Sequence, residues 1–234
     1  MAGPIALVGA GEFLPAMAAF DRGLLEATGR ARPRVAIVPT AAYPDGEEVF
    51  ARWAAMGRAH FESLGAEVEE VLLRGRADAD DEGHAQALGE ADLLYFSGGK
   101  PGHLLDTLVG SAAWAAALGA HRRGAVLAGC SAGAMVLAER VVGVRRRLPF
   151  PVRWEPGLGI AEGLAVLPHY DAWPEVLAAA LALRAPAGLV VLGIDEETAV
   201  VGRDGSWQVH GRGRVTVWRG RHRQRQRQGD VFPI

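Results

Sequence analysis

The residues best suited to do chemistry are Gly129-Cys130-Ser131-Ala132-Gly133. A short apolar run, residues 125–128, leads into them. Helix formers follow at Met135, Leu137, Ala138 and Glu139. G-x-S-x-G between a strand and a helix is the pattern of a nucleophile elbow. The strand turns sharply into the helix and leaves the tip hydroxyl exposed. The positions two before and two after the tip must be small, because strand and helix nearly touch there. The first helical N–H groups point to the space above the tip, where an oxyanion can sit. The plainer alternative is a glycine-rich turn that only packs tightly, and the flanking strand and helix signals favour the elbow.

A serine nucleophile needs a base within hydrogen-bond reach. Of seven histidines, His169 is the candidate. It directly follows an apolar strand-like run (164–167), within Pro168-His169-Tyr170-Asp171, downstream of the serine. His103, after the Gly98-Gly99 turn, is the second choice. His60, His121 and His222 read as helix-surface or tail residues, His84 lies in a polar segment, and His210 ends a late strand. The base in turn needs an orienting carboxylate. Glu155, in the loop before His169, ranks first, with Asp195 and Glu196 close behind. Capping and turn formation are the alternative roles of the latter two. Asp171 is too near in sequence to reach the imidazole. The oxyanion donors would be the backbone N–H of Ala132 and that of Gly98 or Gly99. Lys100 and Thr40 join Gly98 as candidate substrate contacts. Two rival readings stay open at this point. One makes Cys130 the nucleophile, with Ala128 and Ala132 as the small flanks, but lacks a glycine two places after the tip. The other is a binding or regulatory protein that keeps the fold without catalysis.

These residues need a scaffold that brings them together. Short apolar strands (Ile5–Val8, Arg34–Val38, 68–72, Leu93–Phe96 and 125–128) alternate with helical stretches at 17–27, 47–64 and 112–118. That alternation predicts a mostly parallel sheet with helices on both faces. Ligands in such sheets sit at the carboxyl ends of the strands. Gly9-Ala10-Gly11-Glu12, Thr40, Gly98-Gly99 and Ser131 all follow strand ends and should share one rim. Gly9 to Glu12 reads as a tight turn, because the third glycine of a dinucleotide fingerprint is missing. Residues 145–159 form a basic loop punctuated by Pro and Gly. Further strands are expected at 164–167 and 189–194, with a helix at 174–183. Asp204-Gly205 marks a hairpin between apolar runs at 199–201 and 207–209. Residues 214–218 alternate as one more strand, and 221–228 read as a solvated tail. The expected fold class is α/β, one domain over residues 1–234 with a small C-terminal β-hairpin region.

Composition sets the outer bounds. A chain of 234 residues, half of them apolar, is long enough for a sizeable core. A net charge of −2 gives no reason to expect nucleic acid or an anionic membrane as partner. No apolar run approaches the ~18 residues of a membrane span. The first residues lack the basic-then-apolar order of a signal peptide, so a cytoplasmic location is expected. Cys130 is the one cysteine, which rules out an internal disulfide and any Cys-rich metal site. No cofactor or metal is expected. Lys100 is the only lysine among 25 lysines and arginines.

Taken together, Tyr95-Phe96-Ser97-Gly98-Gly99, Gly129-Cys130-Ser131-Ala132-Gly133-Ala134 and Pro168-His169-Tyr170-Asp171 resemble the dipeptidase E and cyanophycinase family of serine peptidases. Gly193-Ile194-Asp195-Glu196-Glu197-Thr198-Ala199 resembles the cyanophycinase branch in particular. The resemblance spans nearly the whole chain and implies a fold like the class I glutamine amidotransferases. It also implies cleavage of peptide bonds near aspartyl residues, either in alpha-aspartyl dipeptides or at the beta-aspartyl-arginine links of cyanophycin. Carried over motif by motif, it makes Ser131 the nucleophile and His169 the base, with Gly99 and Ala132 at the oxyanion. A homodimer is a further implication. The chain departs from the family in three places. Lys100 and Pro101 stand where Asp or Asn and then Gln usually follow the double glycine. Arginines occupy 145–147, where the dipeptidase branch carries an aspartate. No arginine-rich helix follows His169-Tyr170-Asp171.

Overall fold

The computed structural model describes residues 1–143 and 153–234. The arginine triplet at 145–147 falls outside the described residues. The strands are β1 (Ile5–Val8), β2 (Arg34–Val38), β3 (Glu67–Glu70), β4 (Leu93–Phe96), β5 (Val126–Cys130), β6 (Ala138–Val142) and β7 (Trp154–Pro156), continuing with β8 (Ala161–Leu167), β9 (Val190–Ile194), β10 (Thr198–Arg203), β11 (Ser206–Gly211), β12 (Val215–Arg219), β13 (His222–Gln226) and β14 (Val231–Pro233). The helices are α1 (Ala18–Ala27), α2 (Glu47–Ser63), α3 (Arg76–Ala79), α4 (Glu82–Glu90), α5 (Pro101–Leu108), α6 (Ala112–Arg122), α7 (Ala132–Leu137) and α8 (Glu175–Ala182).

Two sheets form where the sequence pattern predicts one sheet and a hairpin. The first runs β14-β11-β10-β1-β5-β4-β2-β3, and the second runs β13-β12-β9-β8-β6-β7. In the first sheet β1 to β5 are mutually parallel, while β10, β11 and β14 extend it antiparallel. In the second, β6, β8 and β9 are parallel between antiparallel edges. Alternation along each buried strand separates two cores. Val35 and Ile37 of β2 pack with Phe13, Met17 and Phe61 on the α1–α2 side. Ala36 and Val38 face the opposite side, where Leu104, Leu105 and Leu108 of α5 meet Leu164, Val166 and Leu192 of the second sheet. A third, smaller cluster joins the outer face of that sheet to α8 through Leu167, Leu181, Val191 and Trp218.

Three local expectations change. The helix after Ser131 ends at Leu137, and Ala138 and Glu139 enter strand β6 instead. The amides of Leu158, Gly159 and Ile160 bond to the carbonyls of Val136, Ala138 and Leu137, which closes the helix. Part of the expected loop forms β7, pairing Glu155 with Val141. The expected tail is strand β13, whose Arg223 lies over the Trp218 ring, 5.4 Å from its centroid, and pairs with Glu175. The Asp-Gly hairpin forms where the sequence marks it. Asp204 and Gly205 both take positive φ between β10 and β11, as a two-residue turn of primed type requires.

Candidate active site

Strands β1, β5 and β4 lie side by side, and their carboxyl ends carry the Gly9–Glu12 turn, Ser131 and Gly98-Gly99. Ser131 follows β5 at φ 50°, ψ −108°, a conformation that non-glycine residues avoid. Its N–H donates to the Val8 carbonyl at 2.9 Å, and its carbonyl accepts from the Met135 N–H at 3.0 Å, which starts α7. Steric need explains both flanking glycines. A Cβ on Gly129 would lie 2.5 Å from the Gly133 carbonyl carbon, and one on Gly133 would lie 2.1 Å from the Phe96 oxygen.

His169 arrives from the second sheet, one residue past Pro168 at the end of β8, in the left-handed region (φ 50°, ψ 38°). The following turn is anchored. The Trp173 indole N–H donates to the Pro168 carbonyl at 3.0 Å, and the Trp218 indole N–H donates to the Tyr170 hydroxyl at 2.9 Å. The Tyr170 ring lies so close over Gly193 that a Cβ there would sit 2.2 Å from it. This anchoring brings His169 Nε2 to 3.0 Å from Ser131 Oγ.

The other imidazole nitrogen, Nδ1, lies 2.8 Å from Glu196 Oε1. Glu155, ranked first on sequence, lies on β7, and Asp195 turns the other way, accepting the Arg214 N–H at 2.9 Å. Burial raises the Asp195 carboxyl pKa above its ordinary value, and the nearby Asp171 carboxylate adds to the rise. Asp171 braces the site indirectly. Its Oδ1 accepts the backbone N–H of Glu196 at 3.0 Å. With Nδ1–H donated to Glu196, the Nε2 lone pair faces the serine hydroxyl, the tautomer that proton abstraction needs.

The remaining sequence candidates separate. Among the described residues, the amides of Gly99 and Ala132 donate to no protein acceptor, whereas the Gly98 amide donates to Glu12 Oε1 at 2.8 Å. Lys100 Nζ is 3.1 Å from Asp45 Oδ1 on the rim. Thr40 is fully buried, so it lies beneath the rim rather than on it. His103 Nε2 contacts the Arg74 carbonyl and takes no part in the serine contacts. Cys130 is fully buried and donates its thiol to Glu12 Oε2 at 2.9 Å. Burial and the Glu12 charge push the thiol pKa well above its ordinary value, the reverse of what a cysteine nucleophile needs. Sequence reading placed Glu12 on the rim only as part of a tight turn and did not foresee its bonds to the Gly98 amide and the Cys130 thiol. The only signal was a carboxylate within a glycine turn at a strand end. A cleft of about 650 Å³ at the opposite ends of the strands, lined by Arg30, Arg34, Asp92 and Arg123, is remote from all of this. Among the described residues no cluster of His, Cys, Asp or Glu is arranged to hold a metal ion, and no helix is long and apolar enough to cross a membrane.

The sequence model of peptidase family S51 matches residues 5–210. The chain belongs to this family. It is a serine-type peptidase of the dipeptidase E kind. Among solved structures it is similar to a peptidase from an acI-B1 Actinobacterium, with 34% identity and a TM-score of 0.89, covering 100% of this chain and 98% of that one. A candidate peptidase E protein from Listeria monocytogenes EGD-e shares the fold at 17% identity and a TM-score of 0.65, over 90% of this chain and 99% of that one. Among curated proteins none matches the chain. This S51 peptidase therefore has the α/β architecture of its solved relatives, with the elbow and His169 turn set on adjoining sheets.

Proposed function

We propose that the chain hydrolyses small peptides through a Ser131–His169–Glu196 relay. His169 Nε2 takes the Ser131 proton as Oγ attacks the scissile carbonyl. The amides of Gly99 and Ala132 hold the developing oxyanion, and His169 returns the proton to the leaving amine. Water, activated by the same imidazole, then releases the acyl group from Ser131. Glu196 keeps the imidazole in the required tautomer and stabilises it when charged. The observation that carries this reading is the chain of contacts at 3.0 and 2.8 Å on a serine held at positive φ. The resemblance to dipeptidase E and cyanophycinase makes aspartyl peptides the substrates to try first. Lys100 directly follows the double glycine and pairs with Asp45, and in this reading it exchanges Asp45 for a substrate carboxylate.

Intact-mass labelling with a small serine-reactive phosphonate tests the mechanism without a known substrate. A single phosphonyl adduct on the parent, absent in Ser131→Ala and His169→Ala, is the expected result. Labelling that survives Ser131→Ala would overturn it.

A further inference from the structure

The Glu12 carboxylate is buried within the catalytic rim yet has no part in the relay. It stands 6% exposed between two backbone positions of positive φ, Gly11 at 88° and Phe13 at 64°. Phe13 is locked in a cage of rings, with centroids 5.2 Å from Tyr95, 5.9 Å from His60, 6.2 Å from Phe61 and 6.3 Å from Trp53. On the other flank, the Gly9 amide donates to the Thr198 carbonyl and the Glu197 amide to the Ala10 carbonyl. The turn carrying Glu12 is therefore tied to the loop carrying Glu196, and its side chain has little freedom to swing. A Cβ built on Gly98 would lie 2.8 Å from Glu12 Oε1 and 3.3 Å from Ser131 Cβ, so the Gly98 backbone is sandwiched between carboxylate and nucleophile.

A negative charge this close to the serine opposes an oxyanion forming there. Its bonds supply the compensating role. The peptide before Gly98 is fixed by the 2.8 Å bond to Glu12, and the peptide after Gly99 by the 2.6 Å bond from the Lys100 amide to the Ala41 carbonyl. Between these two clamps sits the peptide whose N–H belongs to Gly99, a residue at φ 139° with no side chain of its own to anchor it. We propose that Glu12 is a positioning residue. It clamps the Gly98 amide so that the Gly99 N–H stays aimed at the oxyanion, an inference that rests on the serine mechanism above.

Saturation kinetics of phosphonate labelling give a maximal rate, kinact, and an apparent affinity, KI. The tetrahedral phosphonyl oxygen must be held by the same amides. Glu12→Ala should lower kinact about 10–100-fold, less than outright loss of an oxyanion donor, with KI within threefold. Glu12→Gln keeps an oxygen that can accept the Gly98 N–H and should recover most of kinact. Glu12→Asp keeps the charge but is one methylene short and should behave like Glu12→Ala, even if the alanine variant proves too unstable to assay. The pH midpoint of labelling should match the parent in Glu12→Asp, which keeps the charge and leaves the relay untouched. Parental kinact in Glu12→Asp, or equal loss in Glu12→Gln and Glu12→Asp, would overturn the proposal. Labelling of Ser131→Ala at the parental rate would instead overturn the serine mechanism, so the two failures are distinct.

Discussion

Replacing Glu196 by Gln removes a charge while leaving an oxygen that can still accept the His169 Nδ1–H. The loss therefore reports electrostatics rather than orientation. In the acylation transition state the imidazole is becoming a cation opposite that carboxylate, with Nδ1 and Oε1 2.8 Å apart. For charge centres about 4 Å apart, Coulomb attraction is about 4 kcal/mol at an effective dielectric of 20 and about 1 kcal/mol in bulk water. The two side chains are 42% and 51% exposed, which places the pair between those limits. A loss of about 1–3 kcal/mol corresponds to about 5–160-fold in the labelling rate, smaller than the roughly 10⁴-fold cost of neutralising a buried triad acid. The assay is the phosphonate rate, with Ser131→Ala as blank and thermal melting to verify folding. Raising the salt should narrow the gap between parent and variant, because an exposed pair is screened. A Glu196→Gln rate within twofold of the parent, or an equal loss in Glu155→Gln, would refute this reasoning.

Other perturbations separate packing from chemistry. Gly133→Ala drives a methyl to within 2.1 Å of the Phe96 oxygen. It should cost about 2–4 kcal/mol and lower Tm by roughly 5–15 °C in a thermal melt. Gly205→Ala has ordinary space but sits at φ 77° in the hairpin turn. It should cost about 1 kcal/mol in urea unfolding and leave phosphonate labelling unchanged. Cys130 should stay unreactive to iodoacetamide in the native chain and react on unfolding, as mass spectrometry would show, because its thiol is buried with a raised pKa. Burial depresses the His210 pKa below its ordinary 6.5. The unfolded chain takes up that proton below pH 6.5 while the folded chain does not. Its stabilising contribution is therefore full above pH 6.5 and is lost as pH falls through the folded value. The gap in urea midpoint between parent and His210→Gln should change between pH 7.5 and 5.5 in that sense.

The strand-to-helix elbow and the His169 turn were legible in the sequence because each is a local event. Gly129 and Gly133 are required by the contact of one strand with the helix that follows it. His169 sits at the end of a strand, where a parallel sheet presents its ligands. The carboxylate that meets His169 was harder to find. Glu155, Asp195 and Glu196 all precede or follow strands near the rim, and the choice among them depends on pairing between distant segments. Glu155 is drawn into β7 by Val141. Asp195 is drawn to the Arg214 amide by the approach of β12. Glu196 is left for His169, and Asp171 holds its backbone. None of these partners is within ten residues in the chain. The second sheet was obscured for the same reason. Its antiparallel edge β13 is an Arg/Gln repeat that reads as solvated tail until Trp218 and Glu175 lie beneath it.

Backbone strain ties the site together. Among the described residues, five non-glycine residues take positive φ: Phe13, Ser131, His169, Glu197 and Asp204. Asp204 belongs to the hairpin turn, where such angles are ordinary. The other four are Ser131 and His169, the proposed nucleophile and base, and the neighbours of Glu12 and Glu196. At about 1–3 kcal/mol each, such conformations persist only where the surroundings over-determine them. Each here has an identifiable restraint: rings around Phe13, the Val8 carbonyl on Ser131, the indole of Trp173 behind His169, and the Ala10 carbonyl on Glu197. The last links the turn after β1 of the first sheet to the segment following β9 of the second. Two sheets meeting at one rim can thus hold serine, imidazole and carboxylate in fixed relation, although each comes from a different stretch of chain. Loosening either sheet should therefore reduce the phosphonate rate before it lowers Tm.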